Sequence, residues 1–202
     1  GAPMVDETAM LPGLVDRLIA RHATPLALDS SNMDAVAAGL EAYPASCLIN
    51  SISGETGRME RLGPLCRKFG APVILLPLRG GDLPVTAVQR IRIIDELLAE
   101  AESLGIPRRL VIVDVLALAA SSVSGATRAA LETIHYCAEE LRLPTTIGLS
   151  NISFGLPARE LLNAGFLAMA AGAGLSSCIA HPGNERMRDT LAAINALLEY
   201  DP

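Results

Sequence analysis

A length of 202 residues suits one domain built on a single large core and leaves little room for a second. With 16 Lys and Arg against 22 Asp and Glu, a net charge of −6 and a pI near 5.1, the chain lacks the basic face that nucleic-acid phosphates require. Hydrophobic residues make up 50% and the mean hydropathy is +0.38, yet Pro, Gly or a charge interrupts every apolar run before the ~18–20 residues that a membrane span needs.

From the N-terminus, Gly1-Ala2-Pro3 reads as a loop leading into a helix, in which Pro12 marks a first turn or a kink because it has no backbone donor. A strand at 25–29, a helix at 32–43, a strand at 46–50 and a helix at 55–69 follow. Pro64 has the same meaning as Pro12, and Gly70 supplies the positive φ that ends the second of these helices. Next come a strand at 72–77 and a helix at 86–104, opened by a Thr86/Gln89 capping box and closed by Gly105. Strands at 110–115, 145–150 and 177–181 then alternate with helices at 125–141, 158–173 and 184–200. The strands Val73-Ile74-Leu75-Leu76 and Leu110-Val111-Ile112-Val113 are apolar at every residue, as expected of a parallel sheet covered on both faces.

Repeated strand–helix units fit either a (β/α) barrel or an open doubly wound sheet. The polar residues favour the barrel: Asp29, Asn50, Asp114 and Asn151 each fall at or just after the end of a different strand, and a barrel gathers such ends at one mouth. No GxGxxG follows any strand, so the dinucleotide fold has no fingerprint. Six units are counted where a closed barrel has eight strands, so residues 1–202 read as one domain, the C-terminal three quarters of a barrel.

Asp114 is the one charge in an apolar segment, and burying a carboxylate without partners costs several kcal/mol. It is either a ligand-facing group or a cap for a neighbouring loop. Asp29 could equally cap the helix beginning near Asn32, and Asn50 and Asn151 singly read as turn residues. Together, two acceptor carboxylates and two carboxamides suit a flat neutral heterocycle rich in N–H donors, and do not suit a phosphate. Lys68 is the only lysine and lies near a helix end, which removes a Schiff-base aldolase. Ser150 has no GxSxG elbow, which argues against a serine hydrolase. His22, His135 and His181 are dispersed, and only His181 falls at a strand end, so no metal set is expected. Cys47, Cys66, Cys137 and Cys178 lie far apart without a CxxC pair and read as buried reduced thiols. Nothing in residues 1–7 resembles a signal peptide, and a cytoplasmic setting is expected. The Arg79-Gly80-Gly81-Asp82 turn is either a flap or an ordinary loop, and Arg159 either faces an anionic substrate tail or caps its helix.

The segment Gly148-Leu149-Ser150-Asn151-Ile152-Ser153-Phe154-Gly155-Leu156-Pro157 carries a specific resemblance, continued by Arg159, Leu162-Asn163 and Phe166-Leu167-Ala168-Met169-Ala170. With Leu28-Asp29-Ser30-Ser31-Asn32, Ile49-Asn50-Ser51-Ile52-Ser53-Gly54-Glu55 and Ile112-Val113-Asp114, it resembles the pterin-binding methyltetrahydrofolate:corrinoid protein methyltransferases. That family includes the folate domain of cobalamin-dependent methionine synthase. The resemblance spans nearly the whole chain and implies a TIM (β/α)8 barrel of the dihydropteroate synthase-like type, here without its first two strands.

The same resemblance implies that Asp29, Asn50 and Asp114 hydrogen-bond the pterin, with Gly148, Ser150 and Arg159 also in the substrate site. Asn151 is implied as the catalytic group near N5 of 5-methyltetrahydrofolate. The acceptor is Co(I) of a corrinoid, or cobalamin, carried by a partner protein or domain. No metal is bound by the chain itself, and a homo-oligomer, a dimer, is expected. Val115 and His181 depart from the family's usual residues, and the family's Asp-x-Asn-x-Gly strand lies upstream of Gly1. Two alternatives remain: a non-catalytic or partner-dependent pterin-binding fragment, and, behind it, dihydropteroate synthase, which has Ser-Arg-Lys in place of Ser150-Asn151-Ile152.

Overall fold

A computed structural model describes residues 5–199. The expected loop at Gly1-Ala2-Pro3 and the end of the last predicted helix at Tyr200 lie outside them. Helix α1 (Glu7–Ile19) starts from Asp6, whose carboxylate accepts from the Thr8 and Ala9 amides. Strand β1 (Ala27–Asp29) leads to α2 (Met33–Ala42), whose N-cap is Asn32, so Asp29 does not cap that helix. Strand β2 (Leu48–Ser53), α3 (Arg58–Phe69), β3 (Val73–Leu76) and α4 (Ala87–Ser103) follow. Strand β4 (Val111–Asp114), α5 (Ala126–Glu139), β5 (Thr145–Thr146), α6 (Arg159–Gly172) and α7 (Glu185–Leu197) complete the order.

The local signals behave as their chemistry requires. The Gln89 amide donates to Thr86 Oγ1 at 3.3 Å, and the Thr86 amide donates to Gln89 Oε1 at 3.0 Å, so the capping box forms. Gly70 and Gly105 stand at φ +60° and +70°, where a Cβ would be strained. Pro12 and Pro64 sit inside α1 and α3 rather than in their first turns.

The strands lie in chain order across one sheet. Strand β1 runs parallel to β2 with Asp29 opposite Asn50, β2 runs parallel to β3 with an irregularity between Asn50 and Ile52, and β4 runs parallel to β5 with Asp114 opposite Thr146. The sixth expected strand, 177–181, is reduced to a bridge between Ile179 and Gly148. Hydroxyl groups take part in its first rung, while further on the Ile179 amide donates to the Ile147 carbonyl at 2.8 Å. The Thr145 amide donates to Ser176 Oγ, the Ser176 amide donates to Thr145 Oγ1, and Ser177 Oγ shares the Thr145 carbonyl with its own amide. Likewise β5 ends at Thr146 rather than at 150, because Leu149–Asn151 close into a 3-10 turn.

The chain divides into two compact units. One takes the described residues up to Gly81 with Ile93–Ile112; the other takes Asp82–Arg92 and the described residues from Val113 onward. In the first, the core includes Leu28, Ile49, Ile52, Leu62, Val73 and Leu75, each at most 3% exposed. Gly39 lets α1 and β1 close on α2: an added Cβ would meet Leu11 Cδ2 and Leu28 Cδ1 at 3.0 Å. The second has its own cluster, with Ile134, Ile147, Leu149, Phe166 and Leu167 buried together. Each such side chain contributes about 1.5–3 kcal/mol on burial. Cys47, Cys66 and Cys137 are buried, Cys178 is half-buried and all are free thiols. Among the described residues, no helix is long and apolar enough to cross a membrane.

Candidate functional site

Asp29 ends β1, but its register partner Asn50 is the third residue of β2 rather than its end, because β2 resumes pairing with β3 at Ile52 and Ser53 after the irregularity that follows Asn50. Asp29 is exposed and lines an open cleft of 490 Å³ with Glu7, Ser30, Ser31 and the apolar Met10, Leu11 and Leu14. Arg58, at the start of α3, ties down the backbone behind both: its Nη2 donates to the Ser51 carbonyl at 2.8 Å, and its Nη1 to the Ser31 carbonyl at 3.1 Å. The sequence holds no local sign of this role, since the contacts reach 7 and 27 residues along the chain. Arg79 is held by Glu96 and Glu100 of α4, which anchors the first residue of the Arg79-Gly80-Gly81-Asp82 turn.

In the second unit, the half-buried Asp114 accepts the Leu116 amide on Oδ1 at 2.8 Å. It therefore does cap the loop that follows it. Burial pushes its carboxyl up to about 6; the Leu116 amide and the positive charge of Arg90 oppose that rise. Arg90 was not anticipated as a site residue. It lies on the buried stripe of α4, three residues after Ala87 and four before Ile94, and a charge in such a stripe is the signal that could have found it.

Asn151 closes the 3-10 turn after β5, with its amide donating to the Gly148 carbonyl at 3.1 Å. Gly148 leaves room for the Asn151 carboxamide: a Cβ there would stand 3.0 Å from Asn151 Nδ2. Arg159, the first residue of α6, faces back onto this turn. Its Nη2 donates to the Ser150 carbonyl at 2.8 Å and its Nε to Ser153 Oγ at 3.1 Å, while the guanidinium lies 5.9 Å from the Phe154 ring centre. It makes no side-chain cap of α6. The Ala120 amide donates to the Ile152 carbonyl at 3.0 Å and Ser121 Oγ to the Phe154 carbonyl at 2.7 Å, which joins the loop after Asp114 to the turn after Asn151.

Ser150 and His181 line a 210 Å³ cavity with Glu160, Asn163 and Met187. Lys68 pairs with Glu41 at 3.4 Å and lies over the Phe69 ring. Among the described residues, no group of three His, Cys, Asp or Glu is placed to hold a metal ion.

Solved structures define the class first. Yersinia pestis dihydropteroate synthase with a pterine-sulfa conjugate matches with a TM-score of 0.75, covering 98% of this chain and 79% of that one at 17% identity. The Stenotrophomonas maltophilia enzyme matches at 0.74, covering 95% and 76% at 18% identity. This is an α/β protein with the dihydropteroate synthase barrel fold. Residues 2–181 match the pterin binding enzyme family, and the chain belongs to it. Methionine synthase of Mycobacterium tuberculosis is 33% identical over 189 residues, 87% of this chain but 16% of that protein. Methylcorrinoid:tetrahydrofolate methyltransferase of Eubacterium limosum is 27% identical over 200 residues, 96% of this chain and 73% of that protein.

Proposed function

We propose that the chain binds 5-methyltetrahydrofolate and takes part in moving its N5 methyl group to or from a corrinoid carried by a partner protein or domain. The similarity to methionine synthase and to a methylcorrinoid:tetrahydrofolate methyltransferase supports this. The side-chain chemistry suits the donor pattern of a reduced pterin. Asp114 offers one carboxylate oxygen not taken by the Leu116 amide, and Asp29 is an exposed carboxylate beside a cleft. Asn50 is the register partner of Asp29. These groups accept from, or donate to, the ring's N–H and carbonyl edge.

Asn151 is assigned to N5. As the methyl departs, the N5–carbon electron pair returns to N5, which needs a hydrogen-bond donor and then a proton. A carboxamide presents both a donor and an acceptor, so it follows that change without itself becoming charged. The corrinoid's cobalt supplies the nucleophile. Ser150 and Arg159 hold the turn that carries Asn151.

The observation that carries this reading is Gly148, whose missing side chain makes the place for the Asn151 amide. Calorimetric titration with methyltetrahydrofolate tests it in the unaltered chain, in Asn151→Ala and in Asp114→Ala. Affinity is expected to fall about tenfold or more in Asp114→Ala, the scale of a hydrogen bond to a charged group, and about two- to tenfold in Asn151→Ala, the scale of a neutral one. Equal affinity in all three removes the site assignment.

A further inference from the structure

Arg90 is 0% exposed, on the buried face of α4. Its Nε donates to the Pro84 carbonyl at 3.0 Å, in the approach to α4, and its Nη1 to the Val115 carbonyl at 3.3 Å, directly after Asp114. Its Nη2 is equally buried and has no hydrogen-bond partner among the described residues. Packing does not explain such a side chain: the stripe it shares with Ala87, Ile94 and Leu97 would accept Leu or Met. A buried charge with an open donor is destabilising and persists where its field or its geometry is used. Neutral carbonyls occupy two donors without cancelling the charge, which leaves the field to act on the nearby carboxylate.

We propose that Arg90 is a positioning residue for Asp114, fixing the backbone after it and holding its carboxylate ionised for the N–H donors of a bound pterin. This rests on the reading that Asp114 faces the pterin. The titration behaviour agrees. Arg90 is the charged group that opposes the effect of burial on Asp114, and Asp114 in turn opposes the burial that brings Arg90 down to about 10. From β5, the register partner of Asp114 is the uncharged Thr146.

Two variants separate charge from shape. Arg90→Gln keeps an amide donor and removes the charge; Arg90→Lys keeps the charge and removes the fork. Carbon-13 NMR of labelled aspartate follows the Asp114 carboxyl in the ligand-free chain, assigned by its loss in Asp114→Asn. Calorimetry follows methyltetrahydrofolate affinity from pH 5 to 8. In Arg90→Gln the Asp114 midpoint is expected to move up by about one unit or more, the usual reach of a neighbouring charge. Affinity at pH 7 should then fall about twofold for a one-unit rise and about tenfold for a two-unit rise, with the loss shrinking as pH rises. In Arg90→Lys the midpoint should stay near that of the unaltered chain. An unchanged midpoint in Arg90→Gln overturns the proposal. Should Arg90→Gln fail to fold, Arg90→Lys decides: a midpoint within about half a unit of the unaltered chain supports charge as the agent, and a rise of about one unit or more overturns it. A midpoint that moves in Arg90→Gln while the unaltered chain binds no methyltetrahydrofolate upholds the Arg90–Asp114 coupling and removes the pterin reading.

Discussion

Asp114 carries its charge at a cost in stability. Its carboxyl titrates at about 6 in the folded chain against an ordinary value of 3.8, because burial disfavours the charged form. The folded state therefore binds this proton more tightly than the unfolded state does. That contribution to stability is complete below about pH 4 and is lost as pH rises through about 6. Asp114→Asn, which mimics the neutral form, is expected to unfold at higher urea than the unaltered chain at pH 8, by about 1–3 kcal/mol. The gap should close towards pH 4, and a variant less stable at pH 8 would contradict this account. Gly148 provides a cleaner probe of Asn151. At φ −73° its backbone accepts alanine, so the only conflict is the new Cβ, 3.0 Å from Asn151 Nδ2. Gly148→Ala should leave the melting temperature nearly unchanged and weaken methyltetrahydrofolate binding about tenfold. Unaltered affinity would place the Asn151 amide outside the ligand's reach.

At the scale of elements, arginines recur behind the polar residues in and after the strands. Arg58 holds carbonyls after Asp29 and Asn50, Arg90 holds the carbonyl after Asp114, and Arg159 holds the carbonyl before Asn151. A guanidinium fork suits this, since it binds two or three carbonyls and requires no partner charge. Arg58→Ala is expected to destabilise the chain by about 1.5–3 kcal/mol, the range for hydrogen bonds to a charged group, as read by urea unfolding. A loss under about 0.5 kcal/mol would mean that the strand ends hold themselves. These contacts explain where sequence reading ran out. The capping box at Thr86, the stops at Gly70 and Gly105 and the strand-end placement of Asp29 and Asp114 depend on neighbours within a few residues. All were legible. The irregular pairing of 177–181 begins at Thr145, 31 residues away from Ser176, and alternation alone carries no trace of it. Arg159 stands out in the sequence, but its grip on Ser150 and Ser153 comes from the chain turning back between them, which spacing along the chain does not show.

For the molecule as a whole, the fold class was legible because parallel strands covered on both faces leave a continuous apolar run, as in β3. The family was legible because the segment around Asn151 is long and specific. This chain spans 16% of the M. tuberculosis methionine synthase and 73% of the E. limosum methyltransferase. Donor binding and methyl transfer are separable, because under the proposed reaction the acceptor rides on a partner. A ligand that binds only the folded state stabilises it by about 2.7 kcal/mol at a hundred times its Kd. For a chain of this size that corresponds to a rise of about 5–10 °C in melting temperature. Methyltetrahydrofolate alone should produce such a rise in this chain, and Asp114→Ala should abolish most of it. Loss of the methyl group from N5 should require added corrinoid protein with its cobalt reduced. Demethylation without that protein would remove the two-component scheme; a full rise in Asp114→Ala would leave pterin binding intact and move it away from the end of β4.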